Sequence, residues 1–207
     1  MIAVLDYGIG NLRSAEKALV HVGADVRLVS EPSAARGAAG MVLPGVGAFG
    51  ACVRALRSSG LMEVAMGALE TDTPFLGICV GLQMLYEASD EEPAEAGMGV
   101  LKGKVRSLSP GVKRPQMQWN LLHPTNAVPM ASGGASALLA GVADDAWAYF
   151  VHSYAPEPTE DVVATCDYGG SVVAAVERGN LWGTQFHPEK SGRTGLAILE
   201  NFVRRCG

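Results

Sequence analysis

The sequence predicts an α/β fold, a mostly parallel sheet flanked by helices with added antiparallel strands. Two observations carry this reading. In the first half, short apolar runs alternate with longer amphipathic stretches, and consecutive parallel strands need such crossover connections. In the second half, short strand-like runs follow one another with little helix between them, as antiparallel pairing allows.

Ile2 to Leu5 reads as a fully buried strand, ended by Asp6-Tyr7-Gly8. A helix is expected over residues 12–22, where Leu12, Ala15, Leu19 and Val22 share one face. Strands follow at 26–29 and 40–43, the latter stopped by Pro44-Gly45, then helices at 51–57 and 61–70. A fourth strand, 75–79, runs into a helix expected near 81–88. Beyond it, 105–108, 147–154, 162–166, 172–176 and 181–186 read as strands, the last two joined by a hairpin turn at Arg178-Gly179-Asn180. A helix over 195–204 turns Leu196, Leu199 and Val203 inward, and the Pro/Gly/Ser-rich stretch 124–134 reads as a surface loop. With no repeat and no linker, the 207 residues are expected to form one domain.

Composition removes several function classes. Hydrophobic residues make up 48% of the chain, which argues against disorder. No apolar run reaches the roughly 18 residues needed to span a bilayer. The N-terminus lacks the basic segment of a signal peptide, so a cytoplasmic protein is expected. A net charge of −5 without a basic run gives no reason to expect nucleic acid or an anionic membrane as partner. Cys52, Cys79, Cys166 and Cys206 are scattered without a CxxC pair, so neither zinc, a disulfide framework nor any other cofactor is expected.

One cysteine stands apart. Gly77-Ile78-Cys79-Val80-Gly81 has the G-x-nucleophile-x-G form of an elbow, a sharp strand-to-helix turn. Cys79 would then sit at a helix N-terminus, where free N–H groups and the positive dipole end favour thiolate. A nucleophilic thiol needs a histidine to take and return protons. Of His21, His123, His152 and His187, the last has the best setting, in Gln185-Phe186-His187-Pro188-Glu189. Pro188 pushes His187 toward an extended conformation, in which side chains two apart point the same way. Glu189 can then reach the imidazole and fix its tautomer. Gly45-Val46-Gly47-Ala48-Phe49-Gly50 also matches the dinucleotide-binding GxGxxG. It follows the third expected strand rather than the first, however, with proline before it.

These residues resemble the triad (class I) glutamine amidotransferases. Gly77 to Gln83 is similar to their nucleophile motif, and Gln185 to Glu189 to their His/Glu motif. Asp6 to Leu12, Pro44 to Phe49, Tyr149 to Tyr154 and His187 to Gly192 resemble the branch that supplies ammonia to imidazole glycerol phosphate synthases in histidine biosynthesis. Where that branch carries glycine between methionine and tryptophan, this chain has Gln118, in Met117-Gln118-Trp119-Asn120. The resemblance implies a Cys79–His187–Glu189 triad acting on glutamine, with oxyanion donors from Val80 and from the loop containing Val46 and Gly47. It implies that Gln83, Glu91, Ser153 and Tyr154 hold the amino-acid end of glutamine. It implies a heterodimer with a (β/α)8 cyclase, docked through Asn11, Trp119, Asn120 and Lys190. Two alternatives stand beside it: a glutaminase serving pyridoxal phosphate or anthranilate synthesis, and a non-catalytic binding module of the same fold.

Overall fold

The computed structural model describes residues 1–125 and 136–207. β1 (Ile2–Leu5), α1 (Leu12–His21), β2 (Val26–Val29), β3 (Gly40–Gly45), α2 (Phe49–Ser58), α3 (Leu61–Glu70) and β4 (Phe75–Cys79) succeed one another, with one 3-10 turn at Pro32–Ala35 that the sequence reading did not mark. β1, β3 and β4 are buried at every position, as strands covered by helices on both faces must be, which explains their unbroken apolar runs.

The helix expected near 81–88 is a single turn, α4 (Val80–Gln83). Met84, Leu85 and Tyr86 follow it with no exposed surface, so this stretch has no polar face to turn toward water. Their carbonyls accept from the backbone N–H groups of Met98, Val100 and Gly99 rather than from a helical ladder. Tertiary packing has overridden the local pattern here.

The remaining elements are β5 (Ala88–Ser89), β6 (Lys104–Ser107), β7 (Gln116–Leu121), β8 (His123–Pro124), β9 (Trp147–His152), β10 (Tyr154–Pro156), β11 (Val162–Asp167), β12 (Ser171–Arg178), β13 (Leu181–Thr184) and α5 (Gly192–Arg205). β7 was not expected, because its burial runs against hydropathy: Gln116 is buried while Met117 and Trp119 are exposed. The strand expected over 147–154 is two strands, which change partner at Ser153. β9 pairs with β7, whereas β10 pairs with β6. The loop expected from Pro124 begins inside β8, and its residues 126–134 lie outside the described residues.

The main sheet has eight strands in the order β2-β1-β3-β4-β13-β12-β11-β8. The contacts from β2 through β13 are parallel, and those from β13 to β8 antiparallel. The hairpin forms where expected, with Arg178 opposite Leu181 and Gly179 at φ 58°. This order puts three chain segments at one sheet edge. Gly45 lies opposite Cys79 across β3 and β4, and Thr184 opposite Ile78 across β13 and β4. The loop after Gly45, the turn after Cys79 and the run after Thr184 therefore leave the sheet side by side. Carboxyl ends of parallel strands are where such sheets bind ligands.

Candidate active site

Cys79 has φ 55° and ψ −111°, an unfavourable conformation for a residue with a side chain. Its neighbours hold it there. A Cβ on Gly77 would lie 2.9 Å from the backbone of Leu82, and one on Gly81 would strike the Leu43 carbonyl oxygen. Strand and helix thus approach more closely than any side chain allows, and the sharp turn between them aims Cys79 out of the sheet edge.

His187 extends from β13 and is 1% exposed, as is the Glu189 side chain. The imidazole Nδ1 lies 2.8 Å from Glu189 Oε1. His187 is extended, as expected, at φ −94° and ψ 100°, but the run does not continue: Pro188–Lys190 forms a 3-10 turn with proline at its first position, where its missing N–H costs nothing. β9 anchors this turn. The His187 N–H donates to the Tyr149 carbonyl, the Ser191 hydroxyl donates to the His187 carbonyl, and Tyr149 N–H donates to Ser191 Oγ. Asn11 Nδ2 donates to the same Glu189 Oε1 at 3.0 Å.

Burial works against a charged His187, but the adjacent Cys79 sulfur and Glu189 carboxylate outweigh it and push its pKa up to about 10. Burial likewise raises Glu189, and the bonds from His187 and Asn11 reverse the effect and hold the carboxyl below its usual value. Nε2 is buried without a hydrogen-bond partner of its own. It is the ring atom free to exchange a proton with a reacting group.

A polar chain runs beneath Cys79. Gln185 Nε2 donates to Cys79 Sγ at 3.6 Å, and Gln83 Nε2 donates to Gln185 Oε1 at 3.0 Å and to the Tyr154 carbonyl at 2.9 Å. His152 Nδ1 reaches that same carbonyl at 2.9 Å. A carbonyl only accepts, so Nδ1 carries the His152 proton and Nε2 presents a lone pair, buried and unpartnered. Burial and the neighbouring His187 charge lower the His152 pKa to about 4 despite the Tyr154 bond. Neither Gln185 nor His152 was given a role from sequence. The available signal was their position inside the two motif segments.

The loop after β3 is braced at both ends. Tyr7 Oη donates to the Pro44 carbonyl at 2.6 Å, Cys52 Sγ to the Val46 carbonyl at 3.2 Å, and Phe49 N–H to Glu91 Oε2 at 2.8 Å. Burial raises the pKa of both Tyr7 and Cys52, keeping each protonated as a donor. Gly47 has φ 84°, a conformation suited to glycine. The GxGxxG segment thus faces the turn at Cys79 across β3 and β4.

A cavity of about 240 Å³ opens over these groups. Val46, Gly47, Cys79, Val80, Gln83, Glu91, Ser153, Tyr154 and His187 line it, together with His152, Val151 and Pro115. The expected docking residues lie outside it. Trp119 is 47% exposed and stacks edge-on against Tyr149 at 6.2 Å, and Lys190 is exposed. Asn120 is engaged within the chain, donating to the Asp167 carbonyl, and Asn11 is half-buried against Glu189. Gln118 pairs with Phe150 in the β7–β9 ribbon and is exposed. His21 is exposed, and exposed His123 lies 3.6 Å from Asp167.

Among the described residues no helix is long and apolar enough to cross a membrane, and no cluster of three or more His, Cys, Asp or Glu could hold a metal ion.

Comparison with known proteins places the chain in a family. The model of the family "Glutamine amidotransferase class-I" matches residues 3–206. A protein of Synechococcus sp. (strain JA-3-3Ab) named imidazole glycerol phosphate synthase subunit HisH is 48% identical, over 98% of this chain and 92% of its own length. The protein of the same name from Methanothermobacter thermautotrophicus is 47% identical, over 98% of each chain. A solved glutamine amidotransferase structure superposes with a TM-score of 0.76 at 20% identity, covering 100% of this chain and 98% of that one. At that identity the superposition speaks for the fold. The chain belongs to the class-I glutamine amidotransferase family.

Proposed function

We propose that this chain hydrolyses glutamine to glutamate and ammonia, and passes the ammonia to the cyclase subunit of an imidazole glycerol phosphate synthase. The observation that carries the reading is the contiguous series Cys79, His187 and Glu189 at one sheet edge, with the sulfur lining a cavity large enough for an amino acid.

The Cys79 thiolate attacks the side-chain amide carbon of glutamine, forming a C–S bond and driving charge onto the carbonyl oxygen. The Val80 N–H and a loop N–H at Val46 or Gly47 receive that charge, and each such donor contributes about 10²–10³ in rate. His187, protonated as its raised pKa requires, gives its proton to the departing nitrogen, and the C–N bond breaks to release ammonia. Water then loses a proton to His187 and attacks the thioester. The C–S bond breaks, glutamate leaves, and the Cys79 thiolate is restored. Glu189 holds the imidazole in one tautomer throughout. Gln83, Glu91, Ser153 and Tyr154, all at the cavity wall, hold the amino-acid end of the substrate.

The cyclase, a (β/α)8 partner, would use the ammonia to form imidazole glycerol phosphate and AICAR. Exposed Trp119 and Lys190 suit a docking face beside the site, with Asn120 on the same ribbon as Trp119 and Asn11 bonded to Glu189, next to Lys190 in the chain. All four cysteines stand as free thiols, which suits the reducing cytoplasm.

The test is Cys79→Ser in the assembled complex. Glutamine-dependent synthesis should vanish while synthesis from ammonium salts persists. A complex that keeps more than a few per cent of its glutaminase activity contradicts the reading, and a cyclase that neither binds nor is fed by this chain points to another synthase.

A further inference from the structure

We propose that Gln185 is a further catalytic residue, whose carboxamide N–H is held against the Cys79 sulfur to stabilise the negative charge there, both before attack and when the thioester breaks. The inference deepens the glutaminase reading, since it takes Cys79 as the nucleophile, and it rests on the direction in which the two glutamine side chains must point.

Amide nitrogen and oxygen differ only in whether they donate, so the orientation of such a group follows from its partners. The Tyr154 carbonyl fixes one end of the chain, because it can only accept. Gln83 must therefore turn Nε2 toward it, at 2.9 Å. Gln83 Nε2 also lies 3.0 Å from the Gln185 side chain, which must present Oε1 to receive its other proton. With its oxygen committed, Gln185 has Nε2 left over, and that atom stands 3.6 Å from Cys79 Sγ. Gln185 is fully buried and Gln83 nearly so, which leaves little water to compete for these groups. His152 Nδ1–H completes the set by donating to the same Tyr154 carbonyl.

A thiol sulfur is a weak acceptor and a thiolate a strong one, so a donor locked in this position favours the charged form. The positive end of α4 acts on the sulfur through the backbone, but that helix is a single turn and its dipole is correspondingly small. The other titratable groups facing Cys79 do not all help. His187 favours negative charge on the sulfur, whereas Tyr7 and Cys52, held protonated by burial, bring no charge to it. Gln185 is the side-chain donor that assists the sulfur without itself changing charge. In the first half-reaction it supports the attacking thiolate. In the second it supports the sulfur as the leaving group, when His187 is occupied with the proton of water.

The experiment measures the rate of Cys79 alkylation by iodoacetamide against pH in the whole chain, with Cys79→Ser as the blank. Gln185→Met keeps the approximate shape and removes the donor, and Gln185→Glu keeps the shape and adds a negative charge. The midpoint of the rate profile should rise by about one unit in Gln185→Met, and further in Gln185→Glu. Turnover of glutamine by Gln185→Met should fall about tenfold in kcat with little change in KM. In the unaltered protein, the Gln185 carboxamide proton resonances should move with the titration of Cys79, a readout that needs no variant to fold. Unmoved resonances, or alkylation profiles that superpose on the parent, overturn the proposal. Alkylation does not require glutaminase activity, so that result leaves the glutaminase reading intact. Loss of the latter would appear instead as glutamate release that survives in Cys79→Ser.

Discussion

Asn11 and His187 meet on one oxygen atom: Asn11 Nδ2 lies 3.0 Å, and His187 Nδ1 2.8 Å, from Glu189 Oε1. Asn11 comes from the N-terminal end of α1, 178 residues away from Glu189 in the chain. Sequence resemblance made Asn11 a docking residue alone, whereas the structure gives its side chain a partner in Glu189. Asn11→Ala is therefore expected to lower glutamine turnover of the isolated chain about tenfold, mainly in kcat, since a hydrogen bond to a charged group is lost. A residue that only contacts a partner would leave the lone chain's kcat unchanged, and steady-state glutamate release distinguishes the two.

Glu189→Gln is expected to cost more, roughly 10²-fold or greater in kcat, because an amide beside Nδ1 no longer favours the productive tautomer and gives no charge to the imidazolium. The loss stays smaller than that of Cys79→Ser, in which the nucleophile itself is gone. The measurement is again glutamate release, with folding checked by circular dichroism. Equal activity in variant and parent would make Glu189 an ordinary buried acid.

Acid stability gives an independent check on His152. Its folded pKa of about 4 lies below the ordinary 6.5, so at low pH the unfolded chain binds the proton that the folded one refuses. The neutral histidine therefore costs nothing above pH 6.5, and stability falls as pH drops from there toward 4. The full window corresponds to about 3 kcal/mol at one group. Replacing His152 by glutamine, which does not titrate, should flatten this part of the curve. Urea unfolding midpoints at a series of pH values measure it, and identical slopes in parent and variant count against a buried neutral imidazole.

The elbow tolerates no enlargement. Gly81→Ala should destabilise the fold by about 3 kcal/mol or leave it unfolded, because its Cβ would strike the Leu43 carbonyl, which belongs to a buried strand and cannot withdraw. Thermal unfolding reads the effect, and Gly67→Ala, where a Cβ meets nothing within 4 Å, serves as the comparison.

The parallel half of the fold was legible because β1, β3 and β4 are apolar throughout, and the sharp turn at Cys79 because glycines flank it where two elements touch. The length of α4 was not legible. Met84, Leu85 and Tyr86 form an apolar run that suits a helix equally well, and only the distant Met98 to Val100 backbone decides against one. β7 escaped notice because it hides a glutamine and exposes a methionine and a tryptophan. The proximity of His187 and Glu189 was anticipated on an extended backbone, yet a 3-10 turn provides it. Pro188 was read through its effect on the preceding residue rather than through its own fitness to begin a turn. Gln185 and His152 gave no chemical signal, since an amide and an imidazole acquire their roles from partners that are remote in sequence, Gln83 and the Tyr154 carbonyl among them.

The central claim, that Cys79 attacks glutamine, is tested most directly by mass spectrometry of the chain after exposure to a glutamine analogue bearing an electrophilic ketone at the side-chain carbonyl. One adduct per chain is expected, located on Cys79, slowed by added glutamine and absent from Cys79→Ser. An adduct on Cys52, Cys166 or Cys206, or labelling that persists in Cys79→Ser, would contradict it.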